Sequence, residues 1–352
     1  MASGSAQWDY RAPPLLPGGH LQTIWAAKCA RYRPISASTP GLGAQSALPW
    51  TRQRWATPDQ DFIDVDHLAD TQAQASAPLL VLFHGLEGAR ASHYVQATAS
   101  VCKQMGWRMM LAHFRGCSGE INHAPRAYHS GDYAEIDWIL KRAAAIAPAA
   151  PTLAMGISLG GNALMHWAAR TGASAGTTVQ AVASVCAPLD LVASGLHIGK
   201  GFNKHVYTRM FLSTMRSKAI AKAQQYPGLF DLEAALKART LFEFDNAFTA
   251  PLHGFKDVMD YWGRASAKPL MRDIALPALA LNARNDPFMP TSSLPSRSDV
   301  SDQVTLWQPS TGGHVGFVQT ESWWRLPGHV AAMPSAVIDW LAHQLDTGAV
   351  QS

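Results

Sequence analysis

The stretch TLAMGISLGGNALMHWAAR, residues 152–170, decides the reading of the whole chain. Its first six residues form a short apolar run suited to a buried strand. The residues after Gly161 suit a helix. Between them lies Gly156-Ile157-Ser158-Leu159-Gly160. A serine between two glycines at a strand-to-helix turn is held on a tight, strained bend, where a larger neighbour at 156 or 160 collides with adjacent chain. The bend lifts the Ser158 hydroxyl above the sheet and aims helix N–H groups at any negative charge that develops there. The same five-residue pattern recurs as Gly172-Ala173-Ser174-Ala175-Gly176. That copy follows a helix end and precedes a loop, so Ser174 is assigned no role.

On either side of this stretch, short apolar runs alternate with helical ones. Residues 61–67 (DFIDVDH) alternate as a half-buried strand does. Residues 78–83 (PLLVLF) read as a strand buried on both faces. Strands are also expected at 107–113, 179–187, 277–282 and 303–307, and helices at 92–105, 131–147, 159–170 and 331–346. Strand and helix in alternation specify a mostly parallel sheet with helices on both faces. Residues 192–270 break this rhythm. They contain no good strand, are rich in Phe and Met, and are expected to form a helical cap inserted between two strands. Residues 1–50 carry Pro13, Pro14, Pro17, Gly18 and Gly19 and are expected to be an irregular arm. The core is therefore expected over 51–191 and 271–352.

Composition limits the function. The chain has 352 residues, of which 47% are hydrophobic and 15% charged, as in a compact enzyme with a large core. A net charge of +4 without a dense basic run argues against nucleic acid. Cys29, Cys102, Cys117 and Cys186 are dispersed and form no CxxC, so neither a disulfide framework nor a metal site is expected. The first twenty residues lack a basic start followed by an apolar run, and a reducing cytoplasm is the expected location. No cofactor is required by the chemistry below.

A serine hydroxyl is a poor nucleophile until a base takes its proton. His314, in Gly-Gly-His-Val-Gly-Phe just after the last expected strand, is positioned to reach over the sheet edge. His20, in Gly-Gly-His-Leu, precedes the sheet and reads as a structural or pocket-rim residue. The orienting acid should follow a strand between serine and histidine, and Asp286 does. Asp190 is second choice, Asp257 and Asp260 read as solvated charges, and Asp299 and Asp302 as a polar loop. The backbone N–H groups of Leu159 and Leu86 are expected to form the oxyanion hole, Leu86 lying in the His84-Gly85-Leu86-Glu87-Gly88 loop that His84 orders. His253-Gly254 is a decoy with no strand before it. Ser158, Asp286 and His314, in that order, define an α/β-hydrolase fold and a serine hydrolase.

Several stretches resemble the YheT-like esterase family of α/β-hydrolases: PPLLPGGHLQTIWA (13–26), FHGLEGARASHYV (83–95), FRGCSGEINHAPRAYHSGD (114–132), GISLGGNALM (156–165), NARNDPFMP (282–290) and GGHVGF (312–317). The resemblance implies carboxylesterase-type activity, with relatives acting on acyl glycerols, phospholipids or medium-chain acyl esters, and the same three triad residues. Where that family usually has two acids before the proline, this chain has Asn285, a change that bears on local hydrogen bonding. The signature around His129 and Asp132 reads as a structural loop.

The expected substrate is thus a small-molecule acyl ester, with an acyltransferase passing the acyl group to an alcohol as the alternative, and a non-catalytic binding protein on the same scaffold as another. Lys200, Lys204, Arg209, Arg216 and Lys218 lie among the cap aromatics. This pattern suits transient membrane-surface contact. A helix packed over the pocket with a solvated basic face is the favoured reading. Oligomeric state is not legible.

Overall fold

The computed structural model describes residues 7–32, 48–69, 73–322 and 326–348. Its centre is an eight-stranded sheet of order β1-β2-β4-β3-β5-β6-β7-β8. The strands are β1 (Trp50–Ala56), β2 (Phe62–Leu68), β3 (Leu79–Phe83), β4 (Arg108–Ala112), β5 (Thr152–Ile157), β6 (Ala181–Val185), β7 (Ala278–Leu281) and β8 (Val304–Trp307). Pairing is antiparallel from β1 to β2 and from β2 to β4, and parallel elsewhere. The main helices are α1 (Gly18–Lys28), α2 (His93–Gln104), α3 (Tyr133–Ile146), α4 (Leu159–Thr171), α5 (Leu191–Ile198), α6 (Arg209–Gln225), α7 (Val258–Ala265) and α8 (Ala332–Gly348).

The run LLVLF in β3 shows how the layers form. Leu79, Val81 and Phe83 pack on one face with Ile136, Ile139 and Leu140 of α3 and Trp167 of α4. Leu80 and Leu82 pack on the other with Val95 of α2 and Val337, Ile338 and Leu341 of α8. Successive strand residues point to opposite faces, so an uninterrupted apolar run demands cover on both. Between β6 and β7 the chain forms helices joined by short turns and no strand. It runs through α5, a turn of π-helix at Lys204–Thr208, α6 and α7.

Two expectations need correction. First, the arm is not irregular throughout: α1 lies within it, while its residues 1–6 and 33–47 fall outside the described residues. Pro13, Pro14 and Pro17 precede α1, and Pro17 is its N-cap, so no intrahelical donor is lost. Gly19 is required on the first turn, because a Cβ there would lie 1.8 Å from the Asn285 carbonyl oxygen.

Second, β2 is not half-buried. Phe62, Ile63, Asp64, Val65 and Asp66 are all buried. The alternating aspartates are neutralised across the ladder by β1, a strand the apolar pattern does not announce. Arg52 is opposite Asp66 and Arg54 opposite Asp64, each in a two-point ion pair at 2.7 to 3.0 Å. Buried carboxylates persist only with such partners.

Asp61, just before β2, anchors the 115–124 loop. Its carboxylate accepts from Arg115 Nη1 (2.7 Å), Asn122 Nδ2 (2.8 Å), the N–H groups of His123 (2.7 Å) and Ala124 (3.0 Å), and its neighbour Phe62 (2.9 Å). Burial alone would raise its pKa, but these donors outweigh burial and bring it down to about 2. The folded-state value lies below the unfolded one, so the stabilisation is present above pH ~4 and is lost as pH falls through 2. Unfolding free energies measured against pH should decline by up to about 2 kcal/mol across that window through this group. In Asp61→Asn that part of the decline should vanish, along with stability at neutral pH.

Candidate active site

Ser158 sits where β5 meets α4, with φ 53° and ψ −120°, a strained conformation for a residue with a side chain. Its N–H is held by the Val185 carbonyl at 2.8 Å. The glycines of the motif are there because backbone passes too close for anything else. A Cβ on Gly156 would come 2.4 Å from the Gly160 oxygen, and one on Gly160 would come 2.5 Å from the His84 oxygen. Ser174 has no comparable setting. Its hydroxyl donates to the Thr171 carbonyl in a 3₁₀ turn, and Gly176 has open space around it.

His314 Nε2 lies 3.0 Å from Ser158 Oγ, and its Nδ1 lies 2.8 Å from Asp286 Oδ2. Asp286 also accepts from the Phe288 N–H at 2.8 Å. The carboxylate therefore takes the Nδ1–H and leaves the Nε2 lone pair facing the serine hydroxyl. The Phe288 ring stacks on the imidazole at 3.9 Å and 19°, holding its plane. The fold thus brings together the three residues expected from the sequence, which stand 156 and 28 residues from His314 in the chain. Asp190 instead caps α5 by accepting from the Ala193 N–H, and Asp257 caps α7.

Sequence reasoning missed what holds the histidine loop. The Gly312 N–H donates to Gln22 Oε1 (2.9 Å), the Gly313 N–H to Asn285 Oδ1 (2.9 Å) and the His314 N–H to Thr23 Oγ1 (2.8 Å). Gln22 and Thr23 lie on α1. Asn285 Nδ2 donates to the same Gln22 oxygen at 2.9 Å. A carboxylate at 285 could accept from Gly313 but could not donate to Gln22, so the amide suits this network. The one signal in the sequence was the specificity of the 13–26 stretch, which no local periodicity explains. His20, beside it, stays out of the relay. Its Nδ1 lies 3.2 Å from the Tyr207 hydroxyl, and its ring meets Phe202.

The loop after β3 lies against the serine, where a Cβ on Gly85 would be 3.1 Å from Ser158 Cβ. His84 orders it. Nδ1–H donates to the Gly85 carbonyl at 2.7 Å, and Nε2 accepts from the Phe114 N–H at 3.1 Å. Burial pushes the His84 pKa down to about 3, so it stays neutral in that tautomer. The Gly85 N–H goes to the Tyr94 hydroxyl, that of Glu87 to the Tyr128 hydroxyl and that of Gly88 to the Gly85 carbonyl. Among the described residues the Leu86 N–H has no acceptor, nor has that of Leu159 at the head of α4.

Ser158 and His314 open into a cavity with about 1120 Å³ of empty space, its open mouth included. Much of its wall comes from the helical stretch between β6 and β7, including Ile198, Phe211, Met215, Phe244, Phe248 and Trp262. Charged groups interrupt this apolar lining, among them a pair: Lys218 Nζ donates to Glu87 Oε1 at 2.6 Å, and Tyr128 donates to the same oxygen. Lys222 Nζ caps the Asn122 and Ala124 carbonyls at 2.8 Å, and burial pushes its pKa down to about 8. The His129 loop is structural and also lines the cavity. His129 packs on His253, Asp132 pairs with Arg126, and the Ser130 N–H donates to Tyr261 of α7. Among the described residues no group of three or more His, Cys, Asp or Glu is arranged to hold a metal.

The chain belongs to the α/β-hydrolase fold family, whose model matches residues 78–320, and within it to the YheT-like hydrolases. It is 36% identical over 84% of its length to YheT of Escherichia coli (strain K12), a protein whose name carries a provisional esterase assignment, and covers 85% of that protein. It is 24% identical over 87% of its length to human phospholipase ABHD3, covering 75% of it. Among solved structures, Est1E from Butyrivibrio proteoclasticus superposes with a TM-score of 0.52 at 14% identity, over 84% of this chain and 99% of that one, a likeness of fold.

The two Gly-x-Ser-x-Gly copies give a direct test. Gly160→Ala should destabilise the protein by at least about 2 kcal/mol, because backbone must move. Gly176→Ala, in open space, should shift the melting temperature little or raise it.

Proposed function

We propose that the protein hydrolyses carboxylic esters of short- or medium-chain or lipid-like acyl groups through an acyl-enzyme on Ser158. The observation that carries this reading is the hydrogen-bonded chain Ser158–His314–Asp286 at the floor of an apolar cavity. His314 takes the Ser158 proton as Oγ attacks the ester carbonyl, and Asp286 stabilises the resulting imidazolium. The free N–H groups of Leu86 and Leu159 receive the oxyanion. His314 then protonates the leaving alcohol. A water activated by the same imidazole attacks the acyl-enzyme, and Ser158 is regenerated.

The helices over 192–270 act in this reading as a cap on the 51–191 and 271–352 core, their apolar walls holding the acyl chain. The names of the phospholipase and of the monoacylglycerol lipase of Saccharomyces cerevisiae (28% identical over 70% of this chain, covering 56% of that protein) support lipid-like esters. Four free cysteines fit a reducing compartment such as the cytoplasm.

On a p-nitrophenyl ester series, Ser158→Ala should lose at least about 10⁴-fold in kcat while folding normally. Retention of full activity would sink the assignment. Gln22→Ala, which touches no substrate, should lower kcat by about tenfold with KM little changed, because it loosens the loop that aims His314. A loss of thermal stability with kcat per folded enzyme unchanged would make Gln22 merely structural.

A further inference from the structure

Two segments distant in the chain expose apolar side chains side by side. On the run from Gly201 through α6, Phe202 and Met210 are each 51% exposed, and Val206 between them is exposed. On α1, Leu21 and Ile24 are exposed, as is Leu15 just before it. The segments meet where the His20 ring lies 4.6 Å from the Phe202 ring. His20 and Ile24 are one turn apart on the same face of α1. The two apolar sets therefore adjoin.

Their charge is one-sided. The sequence has no Asp or Glu between Asp9 and Asp59, nor between Asp190 and Asp231. Lys28, Lys200, Lys204 and Arg209 have no carboxylate partner among the described residues. Not every cation of the cap belongs to this surface. Lys218, one of the basic residues singled out in the sequence, turns inward to Glu87, and Arg216 donates to the Ala238 carbonyl.

The same surface adjoins the active site. Phe202 meets Tyr207 (6.1 Å), Tyr207 meets Phe288 (4.7 Å), and Phe288 stacks on His314. Phe288 also lines the cavity.

We propose that the exposed faces of α1 and of the Gly201–Gln225 run form one docking surface for an anionic lipid layer. Apolar side chains would enter the interface while the flanking lysines and arginine remain at head-group level. The unpaired cations on two acid-free segments select negative over zwitterionic lipid. Docking would set the cavity beside the layer, so a lipid-like ester could enter it. This goes beyond the ester-hydrolase reading and is tested separately from it.

The test is sedimentation of the full chain with phosphatidylcholine vesicles and with phosphatidylcholine–phosphatidylglycerol vesicles, at low and high salt. Binding should favour the anionic vesicles and weaken with salt. Phe202→Ser/Met210→Ser should lower the partition coefficient by about 100-fold, Lys200→Gln/Lys204→Gln by about 30-fold, and Ile24→Ser by a smaller factor. Each variant should keep wild-type kcat on a soluble short-chain p-nitrophenyl ester, which separates this outcome from failure of the ester-hydrolase reading. The lysine pair is exposed, so its variant keeps the test open if an apolar variant misfolds. The proposal is overturned if the wild type stays in the supernatant, if binding ignores lipid charge and salt, or if the variants bind like wild type. Dissociation of a wild-type dimer by Phe202→Ser, without vesicle binding, would also overturn it and assign the surface to self-association.

Discussion

Three successive backbone N–H groups, those of Gly312, Gly313 and His314, need acceptors in a buried loop. Leaving such donors unpaired costs about 1–3 kcal/mol each, so the loop adopts this shape only where Gln22, Asn285 and Thr23 meet it. The aim of His314 depends on that meeting, and so does its hydrogen bond to Ser158. Other contacts secure the loop's far side, including His93 donating to the Val315 carbonyl at 2.9 Å and the Val315 N–H donating to Cys186 Sγ at 3.3 Å. The arm therefore belongs to the site as fully as the sheet does.

The facing loop follows a similar rule. His84 is held neutral by burial and spends both ring nitrogens on backbone. The N–H groups of Gly85, Glu87 and Gly88 are taken up by Tyr94, Tyr128 and the Gly85 carbonyl, while that of Leu86 has no acceptor among the described residues. A rigid loop with one free donor is preorganised in the sense that a developing oxyanion requires. The Glu87–Lys218 pair extends this order outward, tying the loop to α6. Such a pair holds its place only with further hydrogen bonds, here from Tyr128 to Glu87 and from Lys218 to Cys117.

Much of this was legible in advance. The strands at 79–83, 108–112, 152–157 and 278–281 and the helix behind Ser158 follow from apolar runs and period, because a sheet covered on both faces leaves that pattern. Strand β1 and helix α1 did not show. β1 is an outward-facing edge whose arginines serve the aspartates of β2, and α1 begins inside a proline–glycine cluster that resembles a loop. The alternation of β2 suggested solvent for residues that are in fact buried ion-pair partners.

The elbow is readable from local sequence, because a serine between glycines at a strand–helix junction has few other reasons to exist, and so is the order of Ser158, Asp286 and His314. Those signals are local: each rests on a few adjacent residues and the strand before them. Which backbone donors are spent and which are free, and which cations face outward and which turn into the cavity, emerges from the folded arrangement alone. The same arrangement shows that Gln22 steadies a loop 290 residues away. Hydrogen-bond pairing and burial depend on distance in space, and a linear pattern does not record which distant side chain arrives to complete them.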